Sequence, residues 1–141
     1  MSAIDRYDYE AGTYVARSGF EDWQEVFHEE TGGYEWSGIA GWYSPSRDRY
    51  FWLEDSGCSC NGFGDSASSI EDFSNGSRAD MLRAAEGYLR VDGRYADFTV
   101  EERARALAAI RDYQEAIVIF EATRIPDTEA TPAAAPKELT A

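Results

Sequence analysis

Two ring-rich segments around a Ser-Pro turn constrain this chain more than any other feature. From Tyr34 to Tyr43, the residues Tyr34, Trp36, Gly38, Ala40 and Trp42 occupy alternate positions. A period of two belongs to a strand, whose successive side chains point to opposite faces. Ser44-Pro45-Ser46-Arg47-Asp48 follows. Proline presets the backbone for the second position of a turn. Arg49–Glu54 then returns as a second strand carrying Tyr50, Phe51 and Trp52. The two segments predict an antiparallel hairpin or meander with an aromatic face.

Upstream, Thr13–Arg17 and Asp22–His28 are candidate strands, although Trp23, Val26 and His28 break strict alternation. Residues 1–12 read as a polar lead-in, and Thr31-Gly32-Gly33 as a turn. Downstream the period changes. Ser69-x-x-Asp72 starts a short turn. Ser77-Arg78-Ala79-Asp80 has the form of a capping box and opens a helix over Arg78–Leu89. Thr99-Val100-Glu101-Glu102 is a second box. It opens a longer helix with Ala106, Ile110, Tyr113, Ile117 and Phe120 on one face. Ile117–Phe120 would also suit a strand, but the helical period runs through it. Strands followed by helices predict an α+β fold, an antiparallel aromatic sheet packed with two C-terminal helices. The expected domain is 1–125, followed by a disordered Ala/Pro/Thr tail over 126–141.

A chain of 141 residues can bury about two thirds of its unfolded surface, so it needs no metal or disulfide merely to fold. An apolar share of 43% and an aromatic share of 14% exclude a chain disordered throughout. No apolar run approaches the roughly 18 residues of a membrane span. The first residues show neither a basic stretch nor an apolar one, so no secretory signal is expected. The expectation is a cytoplasmic protein with reduced thiols. The net charge is −14 and lies mostly in residues 1–75, which hold 15 acids against 4 arginines. Such a field repels nucleic acid and anionic membrane and attracts basic protein surfaces.

Both cysteines fall in Asp55-Ser56-Gly57-Cys58-Ser59-Cys60-Asn61-Gly62-Phe63-Gly64-Asp65, directly after the aromatic strand. The first reading is a tight structural corner whose small thiols pack beneath that strand. A metal site is the alternative, with Cys58, Cys60, His28 and one carboxylate around zinc. Zinc sites prefer wider Cys spacing and a second pair, which this chain lacks. Redox chemistry of the two thiols is a third reading; a disulfide across one residue would close a strained ring. His28 would need a thiol beside it to serve a nucleophile. Asp55 and Asp65 flank the glycines without a lysine, which opposes phosphate binding. Hydrolase-elbow, zinc-protease, phosphate-loop and dinucleotide motifs do not occur. No catalytic residues are expected.

A two-sided aromatic hairpin is not expected to bury every ring. Tyr43, Tyr50, Phe51 and Trp52 are therefore candidates for an exposed interaction patch. Glu29, Glu30 and Glu35 flank the Thr31-Gly32-Gly33 turn as the acidic candidates beside it.

The segment from Tyr34 to Leu89 resembles a family of small uncharacterised proteins encoded by actinobacterial phages and their hosts. The resemblance rests on the aromatic hairpin, the word Asp55-Ser56-Gly57-Cys58-Ser59-Cys60, and Ser69-Ile70-Glu71-Asp72-Phe73 before a helix. It implies a phage setting, a host-cell cytoplasm and no catalytic residues. Twelve arginines against one lysine are compatible with it.

Three functions follow as expectations. The first is a non-enzymatic accessory protein that binds a basic host or phage protein surface, as an inhibitor or a DNA mimic. The second is a small metal-binding or redox module on Cys58 and Cys60. The third is an assembly protein pairing through the Ala106–Phe120 face.

Overall fold

The computed structural model describes residues 3–92 and 98–115. The expected tail 126–141, residues 116–125 and the Ile117–Phe120 stretch lie outside the described residues. Strands β1 (Asp5–Asp8) and β2 (Thr13–Ala16) form a small hairpin. Strands β3 (Gln24–Glu30), β4 (Glu35–Ser44), β5 (Arg49–Cys58) and β6 (Ser74–Gly76) form an antiparallel meander in that order. Helices α1 (Arg78–Tyr88) and α2 (Val100–Asp112) follow. The architecture is α+β.

The aromatic hairpin runs in one register from Ser44 opposite Arg49 to Glu35 opposite Cys58. Asp22 holds its turn, accepting from the Ser46 amide at 2.7 Å and the Ser44 hydroxyl at 3.1 Å. On β3 the pairing shifts between Glu25 and Phe27. The extra residue Val26 makes a bulge, and this is why alternation fails there in the sequence.

The sheet is covered on both faces. On one side, Phe27, Ile39, Tyr43, Tyr50 and Trp52 meet Met81, Ala85 and Leu89 of the α1 segment and Ala106, Leu107 and Ile110 of α2. On the other, Trp36, Ala40, Trp42 and Phe51 meet Ile4, Phe20, Trp23, Phe63 and Phe73 from loops. Trp23 stacks on Phe51 at 4.4 Å. The expectation of exposed sheet rings is thereby corrected. Tyr43, Tyr50, Phe51 and Trp52 are all buried, because the helices cover Tyr43, Tyr50 and Trp52 on one face and loop rings cover Phe51 on the other.

Both capping boxes form. Ser77 Oγ accepts from the Asp80 amide, and Asp80 accepts from the Ser77 amide. Thr99 and Glu102 exchange the same pair of bonds. Helix α2 stops at Asp112 instead of running on through Tyr113. Tyr113 is extended; its ring lies 5.9 Å from Tyr43, and its hydroxyl donates to Gln24 at 2.5 Å. Arg78 also donates to the carbonyls of Ile110 and Arg111, placing a cation where a helix end is negative. Ala106 and Ile110 are buried against the sheet, so this part of the expected pairing face is internal core.

Residues 5–8 are a strand, not a loose lead-in. The hairpin they start carries the exposed rings of Tyr7, Tyr9 and Tyr14, with Tyr7 edge-on to both of the others.

Candidate functional site

The turn between β3 and β4 rises beside the first turn of α2. Between them lies an open cleft of about 640 Å³, lined by Glu30, Thr31, Gly32, Glu35, Trp36, Ser37, Thr99 and Glu102. Three carboxylates and two threonines face it, and no arginine or lysine lines it among the described residues. Position on the fold explains the set. Glu30 ends β3 and Glu35 begins β4, so the turn that joins them brings both to one rim. Thr31 pins that turn, its Oγ1 accepting from the Ser37 amide at 2.9 Å. Glu102 arrives from α2, where the capping box holds it near the helix start. Tyr34, beside Glu35 in sequence, is 74% exposed.

Glu29 does not belong with them. It is 6% exposed and is bound by Arg105 through both guanidinium and carboxylate forks. Alternation along β3 sends it opposite to Glu30. The expected cluster of Glu29, Glu30 and Glu35 is therefore Glu30, Glu35 and Glu102. Only the capping-box spacing marked Glu102 in the sequence, and it did so for a structural reason.

The cysteine loop lies at the far end of Trp36. Cys58 ends β5 directly opposite Glu35. A turn brings the Asn61 amide to the Cys58 carbonyl at 3.2 Å, while Asn61 Oδ1 accepts from the Cys58 amide at 3.1 Å. The buried Trp36 donates its indole N–H to the carbonyls of Cys58 and Asn61, at 3.0 and 3.1 Å. A Cβ on Gly57 would sit 2.6 Å from Asn61 Oδ1 and 2.8 Å from the Trp36 ring, so this approach requires glycine. The two sulfurs lie 2.6 Å apart. Cys60 is exposed and Cys58 half-buried, which corrects the expectation of thiols packed beneath the strand. The Cys60 thiol hydrogen-bonds to Cys58 and holds its pKa below the ordinary thiol value, against an opposing push from Glu35.

His28 is not brought to the thiols. Its ring packs 4.7 Å from Phe63, and Nε2 lies 3.1 Å from Glu30. Among the described residues no three His, Cys, Asp or Glu side chains converge as metal ligands, so the His28, Cys58, Cys60 set is not assembled. Asp55 and Asp65 are occupied by loop amides, those of Gly64 and Gly62. No described helix is long and apolar enough to cross a membrane.

A family model described as a domain of unknown function, DUF7574, matches residues 12–116. The chain belongs to this family. The match takes in the four-stranded meander, both described helices, the cleft and the cysteine loop of this DUF7574 domain. The β1 strand lies ahead of the matched residues. No curated protein and no solved structure matches the chain.

Proposed function

We propose that this DUF7574 protein is a non-enzymatic accessory protein that binds a basic protein surface through the Glu30, Glu35 and Glu102 cleft. The setting carried by the resemblance is an actinobacterial phage or its host, with the host cytoplasm as the place of action. One observation supports the binding reading above the others: three carboxylates line one open cleft with no arginine or lysine among its described lining residues. Carboxylates gathered on one rim gain from an incoming cation, even with the His28 ring 3.1 Å from Glu30 and Arg105 near enough to Glu102 to feel its charge. An arginine fits best, since its planar fork pairs with carboxylates and its face stacks on an aromatic ring such as Tyr34. The surrounding excess of 15 acids over 4 arginines in residues 1–75 would draw a basic partner from a distance. A partner that normally grips nucleic acid has a surface of this kind, and occupying it would inhibit that partner as a DNA mimic does.

The test is affinity capture from host lysate at about 0.1 M and about 1 M salt, between which the screening length falls from about 10 to about 3 Å, with a gel shift alongside. The reading expects a basic protein that is retained at low salt, released at high salt, and lost on Glu30→Gln/Glu35→Gln/Glu102→Gln substitution. Retention that ignores either salt or these substitutions, or a shift of DNA, contradicts it.

A further inference from the structure

The paired thiols carry an inference separate from the cleft. We propose that Cys58 and Cys60 form a dithiol–disulfide exchange site whose substrates are neutral or cationic disulfides. The site is built. Two backbone–Asn61 bonds and two Trp36 indole bonds hold the turn from 58 to 61, and Gly57 lets Trp36 and Asn61 close around it. That frame keeps two sulfurs at 2.6 Å, with Cys60 open to solvent. Groups held in place react as though at very high concentration. A disulfide across a single residue also closes a small, strained ring, and strained or exposed disulfides are the labile and catalytic ones. The pair therefore suits exchange better than stapling.

The exchange balances within protein and substrate. The Cys58 thiolate attacks one sulfur of R–S–S–R, a new S–S bond forms between Cys58 Sγ and that R–S half, and the substrate S–S bond breaks. The departing R–S⁻ takes up the proton that Cys58 gave to solvent. The Cys60 thiolate then attacks the Cys58 sulfur and releases the second R–SH. The protein has lost two electrons and two protons to form its disulfide, and the substrate disulfide has gained both. Run backward, the protein oxidises a dithiol.

Glu35 sets the substrate class. It faces Cys58 across the strands, in a half of the chain rich in acids. An anionic disulfide is repelled there, and a cationic one is drawn in. Glu35 is shared with the cleft, but Glu30 and Glu102 play no part in the exchange.

The test uses the full, reduced chain with dicationic cystamine or anionic oxidised glutathione, read by intact mass and free-thiol count. Wild type should lose both thiols, become lighter by two hydrogens and keep no adduct. Cys60→Ser should retain a cysteamine adduct on Cys58. Cystamine should react about tenfold faster or more at low salt, and the two rates should converge at about 1 M salt. Lasting separate adducts on both wild-type thiols would overturn the exchange site. Equal rates at low salt would overturn the substrate class. The exchange is read on the purified chain with no basic protein present, and the basic-partner reading by capture and titration, so the failure of either is seen separately.

Discussion

Arg105 on α2 grips Glu29 on β3 with two contacts of 2.7 and 2.8 Å, across 76 residues of sequence. The carboxylate is 6% exposed, so the pair ties the helix layer to the sheet. Removing one partner of such a pair leaves a buried charge without compensation. Arg105→Ala should lower the melting temperature more than Arg83→Ala, whose partner Asp80 is far more exposed. Equal shifts in paired thermal melts would show that the bridge adds nothing.

Gly41 marks where α1 presses on the sheet. A Cβ there would lie 2.5 Å from Met81 Sδ and 2.6 Å from the Phe27 ring. Gly41→Ala should cost about 1–3 kcal/mol, the usual penalty for overpacking a filled core. Denaturant unfolding measures it, and an unchanged midpoint would mean that Met81 moves aside freely.

The meander, its ring alternation and both capping boxes were legible because each is a local pattern. Trp36, Ala40 and Trp42 do share a face, as their spacing predicts. The burial of Tyr43 and Phe51 was not legible. Phe51 is covered by Phe20, Trp23 and Phe73, which sit in loops without periodicity, and Tyr43 by the helix layer and the Tyr113 ring, which only the tertiary fold brings to it. The end of α2 was missed for a similar reason: Tyr113 keeps the helical spacing, but its bond to Gln24 is made 89 residues away. Two of the three carboxylates of the acidic site were readable in Glu30 and Glu35, which share one turn. Glu102 joins them only through tertiary packing.

Burial pushes the phenols of Tyr43 and Tyr50 up, and hydrogen bonds to Asp48 and Glu115 add to this. The folded chain thus keeps protons that the unfolded chain releases near pH 10. Their contribution to stability is complete below about pH 10 and is lost as pH climbs through the folded values. The denaturant midpoint should fall above about pH 10, and Tyr43→Phe/Tyr50→Phe should reduce that fall. A double variant with the wild-type alkaline slope would contradict the assignment.

Trp36→Phe keeps a ring in the core but removes the N–H that holds the Cys58 and Asn61 carbonyls. Each bond contributes about 0.5–1.5 kcal/mol net. In a cystamine–cysteamine buffer, the closed Cys58–Cys60 form should lose about tenfold in its equilibrium, the equivalent of about 1.4 kcal/mol. A far-ultraviolet spectrum matching wild type confirms that the fold is kept. An unchanged equilibrium would show that Trp36 does not organise the thiols.

The binding reading is tested most directly by calorimetric titration with an arginine-rich peptide. Three proteins are compared: wild type, Glu30→Gln/Glu35→Gln/Glu102→Gln, and a charge-matched control with Glu10, Glu21 and Glu71 changed to Gln. Glutamine at 102 retains the capping box, so α2 is not undermined. The account predicts salt-sensitive binding to wild type and control, and a loss of affinity of about tenfold or more in the cleft variant, or about 1.4 kcal/mol. Equal affinity in the cleft variant and the control would mean that net charge alone attracts the peptide, and would contradict the cleft as the binding site.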